Sequence, residues 1–162
     1  MRNNNEISRR AFLVGAGALP VLLSTSMAGY AGNLPLVTVT KDPSCGCCTS
    51  WAEHMEAAGF PVRVVESGSV ETLKQRLGVP PTLYSCHTAE VDGYVIEGHV
   101  PAAAIQRLLT DRPSGTGLAV PGMPAGSPGM DFPGVTAEPY DVLLFAPADQ
   151  TIFGRFRGAR EI

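Results

Sequence analysis

Along this chain the spacing of apolar and polar positions changes period repeatedly, and the changes fall at Gly and Pro. Leu36-Val37-Thr38-Val39-Thr40, bounded by Pro35 and by Asp42-Pro43, has the β-branched character of a strand. Trp51, His54, Met55 and Ala58 recur at i, i+3, i+4 and i+7, which predicts an amphipathic helix over 49–58 with Thr49 or Ser50 as its cap and Gly59 as its stop. Residues 61–66 (PVRVVE) predict a second strand and 70–77 (VETLKQRL), stopped by Gly78, a second helix. The Pro80-Pro81 pair then leads into a third strand, and Asp92-Gly93 between Ala89-Glu90-Val91 and Tyr94-Val95-Ile96 predicts a hairpin. Val100-Pro101 opens a third helix over 102–109, with the proline suited to the first turn. From Arg112 to Gly134, Gly and Pro recur so densely that neither helix nor strand is expected to persist. Residues 140–147 and 151–157 close the chain as a hairpin around Ala148-Asp149-Gln150.

This order, β-α-β-α-β-β-α followed by a long Gly/Pro loop and a C-terminal β-hairpin, predicts an α/β protein with a thioredoxin-like core. There is no internal repeat and no sign of a second folded domain. Residues 1–31 read differently. Ser8-Arg9-Arg10-Ala11-Phe12-Leu13 precedes an uncharged stretch, 14–28, rich in Ala, Gly and Leu, which is the pattern of a twin-arginine export signal. Small residues at Ser26-Met27-Ala28 or Gly29-Tyr30-Ala31 suit cleavage, leaving a single domain over 32–162. The competing reading, an N-terminal membrane anchor, falls short of the roughly 20 apolar residues a spanning helix needs. No later segment could span a bilayer, so contact with the membrane is expected only through export, and the location is periplasmic.

Charge narrows the function. Residues 1–31 hold three of the 12 Lys+Arg and one of the 15 Asp+Glu, so the remainder carries 9 against 14, net −5. An acidic domain with no basic cluster is a poor partner for nucleic acid.

The chemistry concentrates in Lys41-Asp42-Pro43-Ser44-Cys45-Gly46-Cys47-Cys48, where three of the chain's four cysteines occupy four positions. On the predicted topology they lie at the N-terminus of the first helix, where the helix dipole and free N–H groups favour thiolate. A thiolate serves either disulfide exchange or metal binding. Cys47, inside the Cys45/Cys48 pair, competes as a resolving thiol and hinders a clean two-cysteine redox cycle, while Gly46 lets the Cys45-Gly46-Cys47 step turn two sulfurs toward one ion. Cys86 adds a fourth thiol just past Pro80-Pro81-Thr82, with His87 and His99 nearby. Each of these three also has a bland reading: Cys86 as a small buried residue or half of a disulfide, the histidines as structural. His54 reads as a surface residue. In Val120-Pro121-Gly122-Met123-Pro124-Ala125-Gly126-Ser127-Pro128-Gly129-Met130, two methionines sit where no periodic core can receive them. Thioether and thiolate are soft donors that select Cu(I); thiolate with imidazole also fits zinc, the less favoured ion.

Through KDPSCGCCTSWAEHM, GVPPTLYSCHTAEVDGYVIEGHVP and GLAVPGMPAGSPGM, spanning roughly residues 36–130, the chain resembles the domain of unknown function 411 family, small exported bacterial proteins described as metal-binding and associated with copper handling. The resemblance implies a thioredoxin-like metal-binding domain with Cys45, Cys47, Cys48 and Cys86 as ligands and His87, His99, Met123 and Met130 as possible additional ones. The function expected is periplasmic copper binding, as Cu(I), for sequestration or for transfer to a copper-handling partner, without catalysis. The alternative is a thiol-disulfide oxidoreductase using Cys45 and Cys48.

Overall fold

The computed structural model describes residues 34–162; the expected export signal and its cleavage site lie outside them. One sheet organises the described residues. Its strands are β1 (Val37–Lys41), β2 (Val62–Glu66), β3 (His87–Val91), β4 (Tyr94–Glu97), β5 (Gly117–Ala119), β6 (Pro139–Ala146), β7 (Asp149–Arg157) and β8 (Arg160–Glu161), in the order β2-β1-β3-β4-β5-β6-β7-β8. Three helices, α1 (Gly46–Ala57), α2 (Val70–Arg76) and α3 (Ala102–Asp111), complete the mixed α/β architecture, and the first seven elements follow the expected β-α-β-α-β-β-α order. Adjacent residues of β4 feed opposite faces of the sheet. Ile96 joins Val37, Val39, Trp51, Met55, Ile105, Leu108 and Phe156 in the larger core, whereas Val95 joins Val79, Leu83, Ala119 and Phe145 in the smaller. On α1, Cys48, Trp51, Ala52 and Met55 form the buried stripe, and on α3 Ala102, Ala104, Ile105 and Leu108 do so, each at helical spacing.

Several local expectations are corrected. The Gly/Pro segment does hold a strand: Leu118, Ala119 and Val120 are fully buried, and β5 pairs parallel to β4 and antiparallel to β6. Three residues are too short for a periodic signal, so sheet pairing rather than local propensity makes the strand. The proline pair does not run straight into β3; Pro81–Leu83 form a single 3-10 turn, and β3 begins at His87. Helix α1 starts at Gly46 with Cys45 as its N-cap, four to five residues before the Thr49 or Ser50 cap read from the pattern. The closing hairpin turns at Pro147-Ala148, with Asp149 and Gln150 already paired in β7, because Pro147 lacks the N–H needed to prolong the ladder. A two-residue strand, β8, extends it.

The register fixes which residues meet at one end of the sheet. Lys41, the last residue of β1, pairs with His87, the first of β3; Thr88 pairs with Glu97, the last of β4; Glu97 pairs with Ala119, the last of β5. The cysteine loop after β1, Cys86 before β3, Gly98-His99 after β4 and the loop over 121–130 after β5 therefore leave the sheet together.

Candidate metal centre

The cysteine loop is shaped before any metal enters. Asp42 Oδ1 accepts hydrogen bonds from the Ser44 N–H (2.8 Å) and hydroxyl (2.5 Å), and the Cys45 N–H donates to Asp42 O (3.0 Å). Those bonds from Ser44 hold the Asp42 carboxyl below its usual range. The chain thus enters α1 with Cys45 at the N-cap and Cys47 and Cys48 in the first turn, among N–H groups that have no intrahelical acceptor. Lys41 Nζ, itself buried, donates to Asp42 O and Pro43 O at the back of the loop.

All four cysteines converge. Their sulfurs lie within 4.8 Å of one another, with Cys45 Sγ 3.6 Å from Cys47 Sγ and Cys47 Sγ 3.9 Å from Cys86 Sγ. Two thiolates on one tetrahedral ion with metal–sulfur bonds of about 2.3 Å stand about 3.8 Å apart, so these separations suit shared ligation. Cys45 and Cys48, with Cα atoms 5.5 Å apart, are joined in a disulfide, which leaves Cys47 and Cys86 as the free thiols. A site of four thiolates requires the reduced form: two electrons and two protons convert that disulfide into two thiols, and the thiol protons leave when a metal binds. Burial, reinforced by the charge of Cys47, pushes the Cys86 thiol up to about 12.

A second set of donors shares Cys86. His87 and His99 offer ring nitrogens within 4.8 Å of its sulfur and of each other. The two histidines differ in role. The Pro128 carbonyl can only accept, so at 2.7 Å it fixes the proton on His99 Nδ1 and leaves the Nε2 lone pair facing Cys86 Sγ at 3.0 Å. A donated second nitrogen is the usual arrangement of a ligating imidazole. His87 is fully buried, packs its ring against Trp51 at 4.5 Å, and places Nδ1 3.4 Å from Cys86 Sγ while Nε2 has no partner among the described residues. Burial lowers the pKa of both imidazoles, that of His87 the further. Trp51 is held in turn by Nε1–H donating to Val100 O at 2.8 Å.

The Gly/Pro loop closes over this group. Gly129 (φ +85°) sits so near α1 that a Cβ there would lie 2.6 Å from Cys47 O and 2.9 Å from Trp51 N. Of the two methionines, Met130 follows this contact and is half-buried, whereas Met123 is 52% exposed. His54 is half-buried and accepts a hydrogen bond from the Ala102 N–H at 3.2 Å, so it caps α3. Trp51, the Pro128 carbonyl and Gly129 were not legible as site residues. Trp51 acts through its ring against His87, and Pro128 and Gly129 through backbone contacts, all created only in the folded chain; the one trace of the latter two in sequence is the density of Gly and Pro after Val120.

Comparison with known proteins adds three findings. The family model described as "Protein of unknown function, DUF411" matches residues 83–130, the segment carrying Cys86, His87, His99, Met123 and Met130. No curated protein matches the chain. Two solved structures are similar to it: "Copper resistance protein copG" in its form 1, at 39% identity and a TM-score of 0.70 over 77% of this chain and 99% of that one, and in its form 2, at 40% identity and 0.71 over 76% and 98%. Identity at this level across nearly the whole length of a solved relative leaves no room for a different family, and the chain belongs to the DUF411 family.

Proposed function

We propose that this protein binds copper, as Cu(I), through Cys45, Cys47, Cys48 and Cys86, and that it sequesters the ion or passes it on in the periplasm without catalysing a reaction. The observation carrying this reading is the convergence of four sulfurs from two separate segments within 4.8 Å, with the His99 Nε2 lone pair aimed at one of them. Soft donors at this density favour a monovalent soft ion. The names of the two similar structures favour copper over zinc, and the twin-arginine pattern supports export. Met130, next to the loop's contact with α1, and the exposed Met123 suit capture or hand-over, because neutral thioethers bind and release more easily than thiolates.

The second reading, a thiol-disulfide oxidoreductase, is favoured by one observation: Cys45 and Cys48 form a disulfide at the N-terminus of α1. Against it, Cys47 Sγ lies 3.6 Å from Cys45 Sγ, close enough to intercept any mixed disulfide. The Cys47→Ala variant separates the two. Under our reading it loses about tenfold or more in competition with a Cu(I) chelator and does not turn over a model protein disulfide. Retained Cu(I) competition together with catalytic turnover in this variant supports the oxidoreductase instead.

A further inference from the structure

Directly behind Cys86 lies a polar cluster that the thiols themselves do not need. Glu97, fully buried, accepts at Oε1 from Lys74 Nζ (2.5 Å) and from the Ser85 N–H (2.6 Å), and at Oε2 from the Thr88 hydroxyl (2.7 Å); Lys74 Nζ also donates to Thr88 Oγ1 (2.8 Å). A buried ion pair is a weak stabilising device, since apolar side chains of similar volume often serve as well or better. What an apolar pair cannot supply is an acceptor for Ser85. That residue lies between the 3-10 turn and β3, outside any sheet ladder, and immediately precedes Cys86. It is held on three sides: its N–H by Glu97, its hydroxyl by Gly122 O at 3.0 Å, and its side chain by Gly98, where a Cβ would lie 2.6 Å from Ser85 Oγ. Glu97 also lies two residues before His99, so one carboxylate ties together the strand end that delivers the imidazole and the peptide that delivers the thiol.

We propose that Glu97, with Lys74 as its counter-charge, is a positioning residue of the metal centre, acting through the Ser85 N–H to hold Cys86 against His99 and Cys47. The proposal rests on the copper-binding reading for its benefit but not for its geometry, and the test keeps the two apart. Two double variants remove both charges. Lys74→Met/Glu97→Leu deletes the acceptor for Ser85, whereas Lys74→Met/Glu97→Gln keeps an amide oxygen for it and an amide N–H for Thr88. In the metal-free protein, peptide mapping after iodoacetamide treatment gives the alkylation rate of Cys86; chelator competition gives Cu(I) affinity, and thermal melting reports stability.

Expected for the leucine variant are Cys86 alkylation at least fivefold faster and Cu(I) affinity at least tenfold lower, with a melting temperature unchanged or raised. The glutamine variant restores both quantities to within about threefold of the parent. Should the leucine variant fail to fold, Lys74→Met/Glu97→Met takes its place. Alkylation at the parent rate in the variant without an acceptor, or equal loss in the glutamine variant, overturns the proposal. If the parent binds no Cu(I) while alkylation responds as expected, the copper reading fails and the positioning role stands.

Discussion

At the scale of single residues, the protonation of Cys86 and His99 governs what the centre can accept. With its proton on Nδ1, bound to Pro128 O, His99 presents a lone pair to the Cys86 sulfur, and the thiol, pushed up to about 12 by burial and by Cys47, keeps its proton until a metal displaces it. His87 lacks that arrangement: it is enclosed by Trp51 and the sheet, and its Nε2 is unpaired among the described residues. The two histidines should therefore separate under substitution. His99→Ala lowers Cu(I) affinity at least about tenfold, the lower end of the range for removing even a group that only supports a ligand; because His99 is as fully buried as His87 and its Nδ1–H pairs with Pro128 O, the variant also loses stability. His87→Ala opens a cavity beside Trp51, lowers stability by about 3–5 kcal/mol on the scale of buried ring deletions, and affects affinity less. Chelator competition and denaturant unfolding on both variants check this; equal affinity losses would remove the distinction between ligand and core imidazole.

Elements deliver these residues, and their contacts carry consequences of their own. Helix α3 begins where the Ala102 N–H donates to His54 Nε2, a bond that requires neutral imidazole at that nitrogen. Burial lowers the His54 pKa, with Asp131 opposing. A base with a depressed pKa in the folded state binds its proton more readily when unfolded. Its contribution to stability is thus complete above the unfolded value of about 6.5 and is lost as pH falls toward and through the folded one. His87 and His99 act in the same direction. His54→Gln, which offers an uncharged acceptor to Ala102, should make the loss of stability between pH 7.5 and 5 shallower than in the parent; an identical slope in urea titrations would show that His54 does not contribute. Most elements were legible because their signals are local: helical spacing around Trp51 and Met55, the Asp92-Gly93 turn, the Pro101 entry to α3. Strand β5 was not, since Leu118 and Ala119 are a strand only by virtue of their neighbours β4 and β6. The true start of α1 is not legible in the sequence either, because Cys45 caps the helix without any side-chain hydrogen bond.

For the molecule as a whole, one sheet end gathers four connections into a single group of sulfurs and imidazoles. The thiols could be read from sequence because Cys45, Cys47 and Cys48 are neighbours in the chain, and Cys86 could be added because Pro80-Pro81 marks the approach to β3. Hydrogen bonds spanning 12 to 29 residues, from Ser85 to Glu97 and from His99 to Pro128, leave no periodic trace and became visible only in the fold. Oxidation state then decides which site exists: with the Cys45–Cys48 disulfide closed, Cys47 and Cys86 are the remaining thiols, and with it open all four are available. The most direct test is a paired count of bound copper and free thiols on protein prepared without oxygen, before and after reduction of that disulfide. We predict that the reduced protein binds Cu(I) with all four cysteines protected from alkylation, and that the disulfide form, with two free thiols, competes at least tenfold less well against a chelator. Equal competition by both forms, or four freely alkylated cysteines in copper-loaded protein, would contradict the account.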